Sequence, residues 1–390
     1  MIHYQSYIKS ASTILSLYKG EEPFANFLKK YFSAHKKHGS KDRKHIATLC
    51  YNFFRLGKAL PNVLIEEKII LATFLIGNFS KEFLLLLNDE WLNFAHKPLE
   101  EKLKNVPFDI LDIFPFAKEL SGAVEVEKLC LSYFYQPKLF LRFREQFLRL
   151  KMLERLTASK IPFEWRGLDC LAFENGTNLD DVLQMGYEVI VQDYNSQQTL
   201  NYIKENKSLF KTTNIDMWDC CAASGGKSIM YYDFMQLKTK LTVSDIRLSI
   251  LQNLHQRFRK AGIDKYDYFV CDLAKGKSPL PNIHYSNIIC DVPCSGSGTW
   301  GRTPEQLYFF KVDKINYYTA LQQKIITNAM AQLKPGGHFI YITCSVFAAE
   351  NEKQVAFIKK QFQVELLQME FLKGYDKQAD SMFVAVFKNK

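Results

Sequence analysis

Ser286–Gly298 reads SNIICDVPCSGSG, an apolar run that ends at Asp291 and then turns through Pro293, Cys294, Gly296 and Gly298. A short apolar run bounded by turn residues reads as a buried parallel strand whose polar chemistry begins where the strand stops. Further along, Gly337–Ser345 repeats the pattern as GHFIYITCS and sets Cys344 at a second strand end. Ligands of open α/β sheets collect at the carboxyl ends of strands, so two thiols and the Asp291 carboxylate are candidates for one site. Either cysteine alone would more often be a small core residue. Their matched placement, flanked by Pro, Ser and Gly turns, favours a site.

Working outward, strand and helix signals alternate through Ile215–Cys221, Leu241–Ser244 and Tyr266–Cys271. This predicts an α/β domain with a mostly parallel, doubly wound sheet over residues 191–390. Val364–Leu367 and Met382–Phe387 are expected as extra edge strands. Residues 126–190 mix the strand-like Leu139–Phe143, Pro162–Trp165, Cys170–Phe173 and Gly186–Gln192 with a helical Phe147–Ala158, which predicts a small α+β module. Residues 1–125 carry helical periodicity instead, as in Ile8, Ala11, Ile14, Leu15 and Tyr18, and predict an all-α domain. Within it Ser40 is expected to cap a helix whose first turn holds Asp42.

The 47% apolar content is ample for packed cores. No apolar run reaches the length of about 18 residues that a membrane span needs, and the start MIHYQSYIKS lacks a signal sequence, so the expected location is the cytoplasm. Nine irregularly spaced cysteines fit reduced thiols there. With neither CxxC nor paired histidines, no metal is expected. The net charge of +10 is concentrated at one end: the first sixty residues hold eleven Lys or Arg against three acids. Such clustering suits a phosphate backbone, although a solvated helical face would read alike.

After the first strand of the α/β region comes Asp219–Ser228, DCCAASGGKS, whose small residues allow a ligand close to the backbone before a helix begins. It is neither a P-loop nor GxGxxG. Asp245, Asp272 and Asp291 each follow one of the next strands. An acid after the second strand can accept hydrogen bonds from ribose hydroxyls, or can simply favour a helix start.

DCCAASGGKS, DVPCSGSG, and TCS with the downstream Glu350-Asn351-Glu352 resemble three ordered motifs of the RNA cytosine-5 methyltransferases of the RsmB (Fmu/Sun) and NOL/NSUN type. Their forms are D-x-C-A-A-P-G-G-K, D-x-P-C-S-G-x-G and T-C-S…E-N-E. VQDYNSQ, Gly301–Glu305 and Leu141–Arg144 are similar to further segments of the family, and SKDRKHIATLCYNFFRLG resembles a NusB-like RNA-binding domain. The resemblance is strong over 190–352 and looser before that. Ser224 departs from the family proline, Ile250 from a helix arginine, and Gly301-Arg302 from a pair of arginines.

The resemblance implies a Rossmann-like class I methyltransferase domain at 191–390, preceded by an RRM-like module at 126–190 and a NusB-like domain at 1–125. It implies S-adenosylmethionine as cofactor, held by Cys221, Ala222, Ala223, Ser224, Gly225, Gly226, Lys227, Asp245, Asp272 and Asp291. Carbon 5 of cytosine is too weak a nucleophile to take a methyl group until a thiolate adds to carbon 6. A free thiol has a pKa of about 8.5, so the pocket must favour its thiolate. By resemblance Cys344 is that nucleophile, Asp291 holds ring nitrogen 3, Lys227 contributes positive field, and Cys294 assists breakdown of the adduct. DNA cytosine methyltransferases use the Pro-Cys cysteine instead, which would exchange the two thiols' roles. RNA contacts are expected from Lys41, Arg43, Lys44, Arg142 and Arg302. The implied reaction is on small-subunit ribosomal RNA, by a monomer; transfer RNA as substrate, or a weakly active RNA-binding assembly factor, are the other readings.

Overall fold

The computed structural model describes residues 2–390 apart from 78, 146, 211–214, 236–238 and 276–282. Its contacts divide the chain into two compact units: residues 1–118, 124–136 and 299–312 form one, and 119–123, 137–298 and 313–390 form the other.

The first unit is helical, led by Ile2–Leu17, Phe24–Ala34, Ser40–Arg55 and Ile65–Ile76. Its interior is aromatic, with Phe24, Phe54 and Phe74 fully buried. The short helix Pro304–Phe309, far away in sequence, is part of it. Gly20 (φ +80°) leaves the room that Phe309 fills, since a Cβ there would lie 2.7 Å from the ring, and Lys58 Nζ donates to the Tyr308 carbonyl at 2.5 Å. The Ser40 cap is corrected by one residue. Gly39 occupies the cap, and its N–H donates to Asp42 Oδ2 at 3.0 Å, so it is the acid in the first turn that closes the helix end.

The second unit contains two sheets. β1 (Leu139–Phe143), β2 (Glu164–Arg166), β3 (Cys170–Phe173) and β4 (Val189–Val191) form an antiparallel sheet in the order β2-β3-β1-β4. β5 (Ile215–Asp219), β6 (Thr239–Asp245), β7 (Asp267–Val270), β8 (Tyr285–Asp291), β9 (Leu333–Thr343), β10 (Val364–Leu372) and β11 (Met382–Asn389) form the other, in the order β10-β11-β9-β8-β5-β6-β7. β7, β6, β5, β8 and β9 are parallel, and β11 and β10 join antiparallel beyond β9. Thus β10 takes the edge, whereas β11 lies inside between two partners, which explains why its MFVAVF run is buried throughout. Ile288, Ile289, Phe339, Ile340 and Ile342 are also fully buried, as befits parallel strands covered on both faces. The strand order reverses at β5, between β6 and β8, and there the carboxyl ends open a crevice for a ligand. Among the described residues no helix is long and apolar enough to cross a membrane.

Candidate active site

β5, β6, β8 and β9 deliver Asp219, Asp245, Asp291 and Thr343-Cys344 to the same side of the sheet. Lys227, in the first turn of the helix Gly226–Met235, reaches Asp291 with Nζ 2.6 Å from Oδ2. Burial pulls the Lys227 ammonium down, but Asp291, Asp219 and Cys344 outweigh it and its pKa is raised overall, so the cation is kept. Asp219 is 1% exposed. It accepts the Ser228 hydroxyl at 2.6 Å on Oδ2, and its other oxygen has no partner among the described residues. Burial, reinforced by Asp291, pushes its carboxyl up to about 7 against the pull of Ser228 and Lys227.

The two thiols meet. Cys294 Sγ lies 3.3 Å from Cys344 Sγ. The contact with Cys344, burial and the nearby Glu350 push the Cys294 thiol well up, so Cys294 favours its protonated form.

A buried frame sets this distance. Gly298 N donates to the Cys344 carbonyl at 2.9 Å, and a Cβ on Gly298 would stand 2.1 Å from Ser381 O, so only glycine permits the approach. Glu350, fully buried, accepts Ser295 N at 2.8 Å and Gln322 Nε2 at 3.1 Å on Oε2, and the Ser345 hydroxyl at 3.1 Å on Oε1. Burial raises its carboxyl, and those three donors hold it back. Asn351 continues the frame, taking the Thr343 hydroxyl at 2.6 Å and donating to Ser345 O and Ser121 Oγ, each at 2.9 Å.

The loop after β5 is tied to β6. Ala222 N donates to Ser244 O at 2.9 Å and Ala223 N to Asp245 Oδ2 at 3.1 Å, while Asp245 Oδ1 takes Arg247 N at 3.0 Å. Asp272 follows β7 and accepts Ala274 N at 3.0 Å. The positive φ of Gly225, +80°, lets the chain turn into the helix that begins at Gly226. These residues suit S-adenosylmethionine: a backbone cradle, acids at successive strand ends, and the Asp219 oxygen left without a partner.

The residues expected to touch RNA are dispersed. Lys41 and Lys44 are exposed and Arg43 half-buried on the helix Ser40–Arg55, with Arg43 Nε donating to His38 O at 2.8 Å. Arg302 belongs to the helical unit. Arg142 is 3% exposed, with NH1 2.9 Å from Asp233 Oδ2 and Nε 3.0 Å from Gln192 Oε1. With Arg144 on the same carboxylate, it ties the small sheet to the helix Gly226–Met235, while its NH2 has no hydrogen-bond partner among the described residues. Sequence reasoning gave no role to Glu350, Ser121, Gln322 or Arg257. The signal for Glu350 was its place in the Glu350-Asn351-Glu352 string that follows Thr343-Cys344-Ser345.

A sheet of this order, five parallel strands with an antiparallel pair beyond β9, defines a Rossmann-like methyltransferase fold. The family described as 16S rRNA methyltransferase RsmB/F matches residues 187–387, and the chain belongs to that family. Among curated relatives, the probable ribosomal RNA small subunit methyltransferase B of Bacillus subtilis (strain 168) is 26% identical over 61% of this chain and 53% of its own length. The tRNA (cytosine(72)-C(5))-methyltransferase NSUN6 of Mus musculus is 32% identical over 37% of this chain and 32% of its own. The chain thus spans about half the length of the first and a third of the second. The crystal structure of PH0851 shares the fold at a TM-score of 0.70 and 18% identity, covering 98% of both chains.

Proposed function

We propose that the protein transfers a methyl group from S-adenosylmethionine to carbon 5 of a cytosine in RNA. The observation that carries this reading is the Cys294–Cys344 pair at 3.3 Å beside the Lys227–Asp291 ion pair. A packing role accounts for neither the paired thiols nor the Lys227–Asp291 ion pair beside them.

The bound cofactor supplies an electrophilic methyl group. This chain's residues do the rest. The Cys344 thiolate adds to carbon 6 of the ring, and the displaced electron pair makes carbon 5 nucleophilic. As the thiolate adds, a proton drawn from solvent reaches ring nitrogen 3 and is held there by Asp291, oriented by Lys227; this neutralises the charge that builds on the base, and the proton is released again as carbon 5 takes the methyl group. Once carbon 5 carries the methyl group its proton passes to solvent water acting as base, the electron pair of that C–H bond re-forms the carbon 5–carbon 6 double bond, and the carbon–sulfur bond breaks to return the thiolate; Cys294, beside the leaving sulfur, assists that step. The base must be unstacked to reach the crevice. Lys41, Arg43, Lys44 and Arg302 supply phosphate contacts, and Arg142 acts by holding the small sheet in place.

Small-subunit ribosomal RNA is the substrate favoured by the family match over 187–387 and by the B. subtilis relative. Transfer RNA is a second reading, favoured by the higher identity to NSUN6, 32% over 155 residues. We place the protein in the cytoplasm, where both RNAs and reduced thiols are found. Incubation with labelled S-adenosylmethionine and unmethylated ribosomal and transfer RNA, followed by mapping of 5-methylcytosine, tests both: one discrete site in small-subunit RNA is expected. Methylation confined to transfer RNA supports the second reading, and none on either RNA refutes the activity.

A further inference from the structure

The loop from Cys220 to Gly225 passes twice through left-handed backbone, at Ala223 (φ +45°) and Gly225 (φ +80°). Ala223 has a side chain, so this conformation is disfavoured and must be held from outside. Asp245 holds one side through Ala223 N. The helix Leu248–Lys260 holds the other. A Cβ on Gly225 would lie 2.6 Å from Phe258 Cε1 and 3.0 Å from Leu254 Cγ, so the loop rests directly on that helix. Next to Phe258, Arg257 donates from NH1 to the Ser224 carbonyl at 3.1 Å and to its hydroxyl at 2.5 Å.

Arg257 is partly buried beside a second cation, Arg142, and among the described residues has no carboxylate partner. A guanidinium so placed costs free energy unless its donors are used, and its hydrogen bonds go to Ser224 alone. Proline would fix φ at this position covalently. Ser224 leaves it free. The geometry points to Arg257 as the residue that positions the cofactor loop, replacing through two hydrogen bonds the restraint that the resembled motif obtains from proline. This rests on reading the loop as the S-adenosylmethionine site.

Calorimetric titration of the full chain with S-adenosylmethionine tests it, together with hydrogen exchange of the loop amides in the absence of cofactor. Arg257→Met is expected to weaken binding roughly tenfold or more, on the scale of a charge-assisted hydrogen bond, and to speed loop exchange. Adding Ser224→Pro should restore binding to within about threefold of wild type, a rescue that a merely structural arginine would not show. Should Arg257→Met fail to fold, Arg257→Lys keeps the charge and stem and is expected to weaken binding in the same direction. Unchanged affinity and exchange in a folded Arg257 variant overturn the proposal, as does weakened binding that the proline leaves unrepaired. Wild-type protein that binds no S-adenosylmethionine overturns the cofactor reading instead, and the exchange data still decide whether Arg257 restrains the loop.

Discussion

Glu350 accepts the backbone N–H of Ser295 at 2.8 Å, fastening the turn that follows Cys294 to the segment that follows Cys344. Because the same carboxylate also takes the Ser345 hydroxyl, one buried side chain sets both turns and, through them, the spacing of the two sulfurs.

Glu350→Gln replaces an acceptor by an amide that must direct N–H groups at existing donors. It is expected to destabilise the fold by about 2 kcal/mol, as loss of hydrogen bonds to a charged group does, and to lower methyl transfer at least tenfold. Urea unfolding and single-turnover rates check the two parts. Unaltered stability would mean that the frame is held elsewhere.

A second expectation concerns acid. Burial, helped by Lys388, lowers the His338 pKa to about 4 from an ordinary 6.5. The folded state therefore favours the neutral ring. Its contribution is fully present above pH 6.5 and is lost as the pH falls through 4, an amount of about 3 kcal/mol by linkage. His338→Asn removes the titration, so unfolding curves from pH 7 to 4 should show wild type losing stability relative to the variant. Parallel curves would show that His338 does not titrate on unfolding.

Lys41→Ala with Lys44→Ala removes two exposed cations from the helix Ser40–Arg55. RNA affinity should fall, and the slope of log affinity against log salt should shrink by about 1.5 to 2, with folding unaffected. Fluorescence anisotropy at several salt concentrations measures it. An unchanged slope would place the phosphates elsewhere.

The sequence made the crevice legible because parallel strands write themselves as apolar runs, and the runs ending at Asp219, Asp245, Asp291 and Thr343 stop where the ligand side begins. Contacts between residues distant in sequence were not legible. Thr299–Val312 follows the Cys294 motif directly yet is built into the helical unit, because Leu307 and Phe309 fill space left by Gly57 and Gly20. Glu350 was legible only as part of the resembled E-N-E string; its place in the frame was not, since its partners Ser295, Gln322 and Ser345 come from three separate elements. Arg142 looked like an RNA contact because nothing local discloses that Asp233 lies against it.

The assignment of the two thiols is tested most directly by trapping. Cys294→Ala and Cys344→Ala, each incubated with substrate RNA and S-adenosylmethionine, are run on a denaturing gel. The account predicts a covalent protein–RNA band for Cys294→Ala, which forms the adduct and cannot resolve it, and no such band for Cys344→Ala. A band with Cys344→Ala and none with Cys294→Ala would contradict it and make Cys294 the nucleophile.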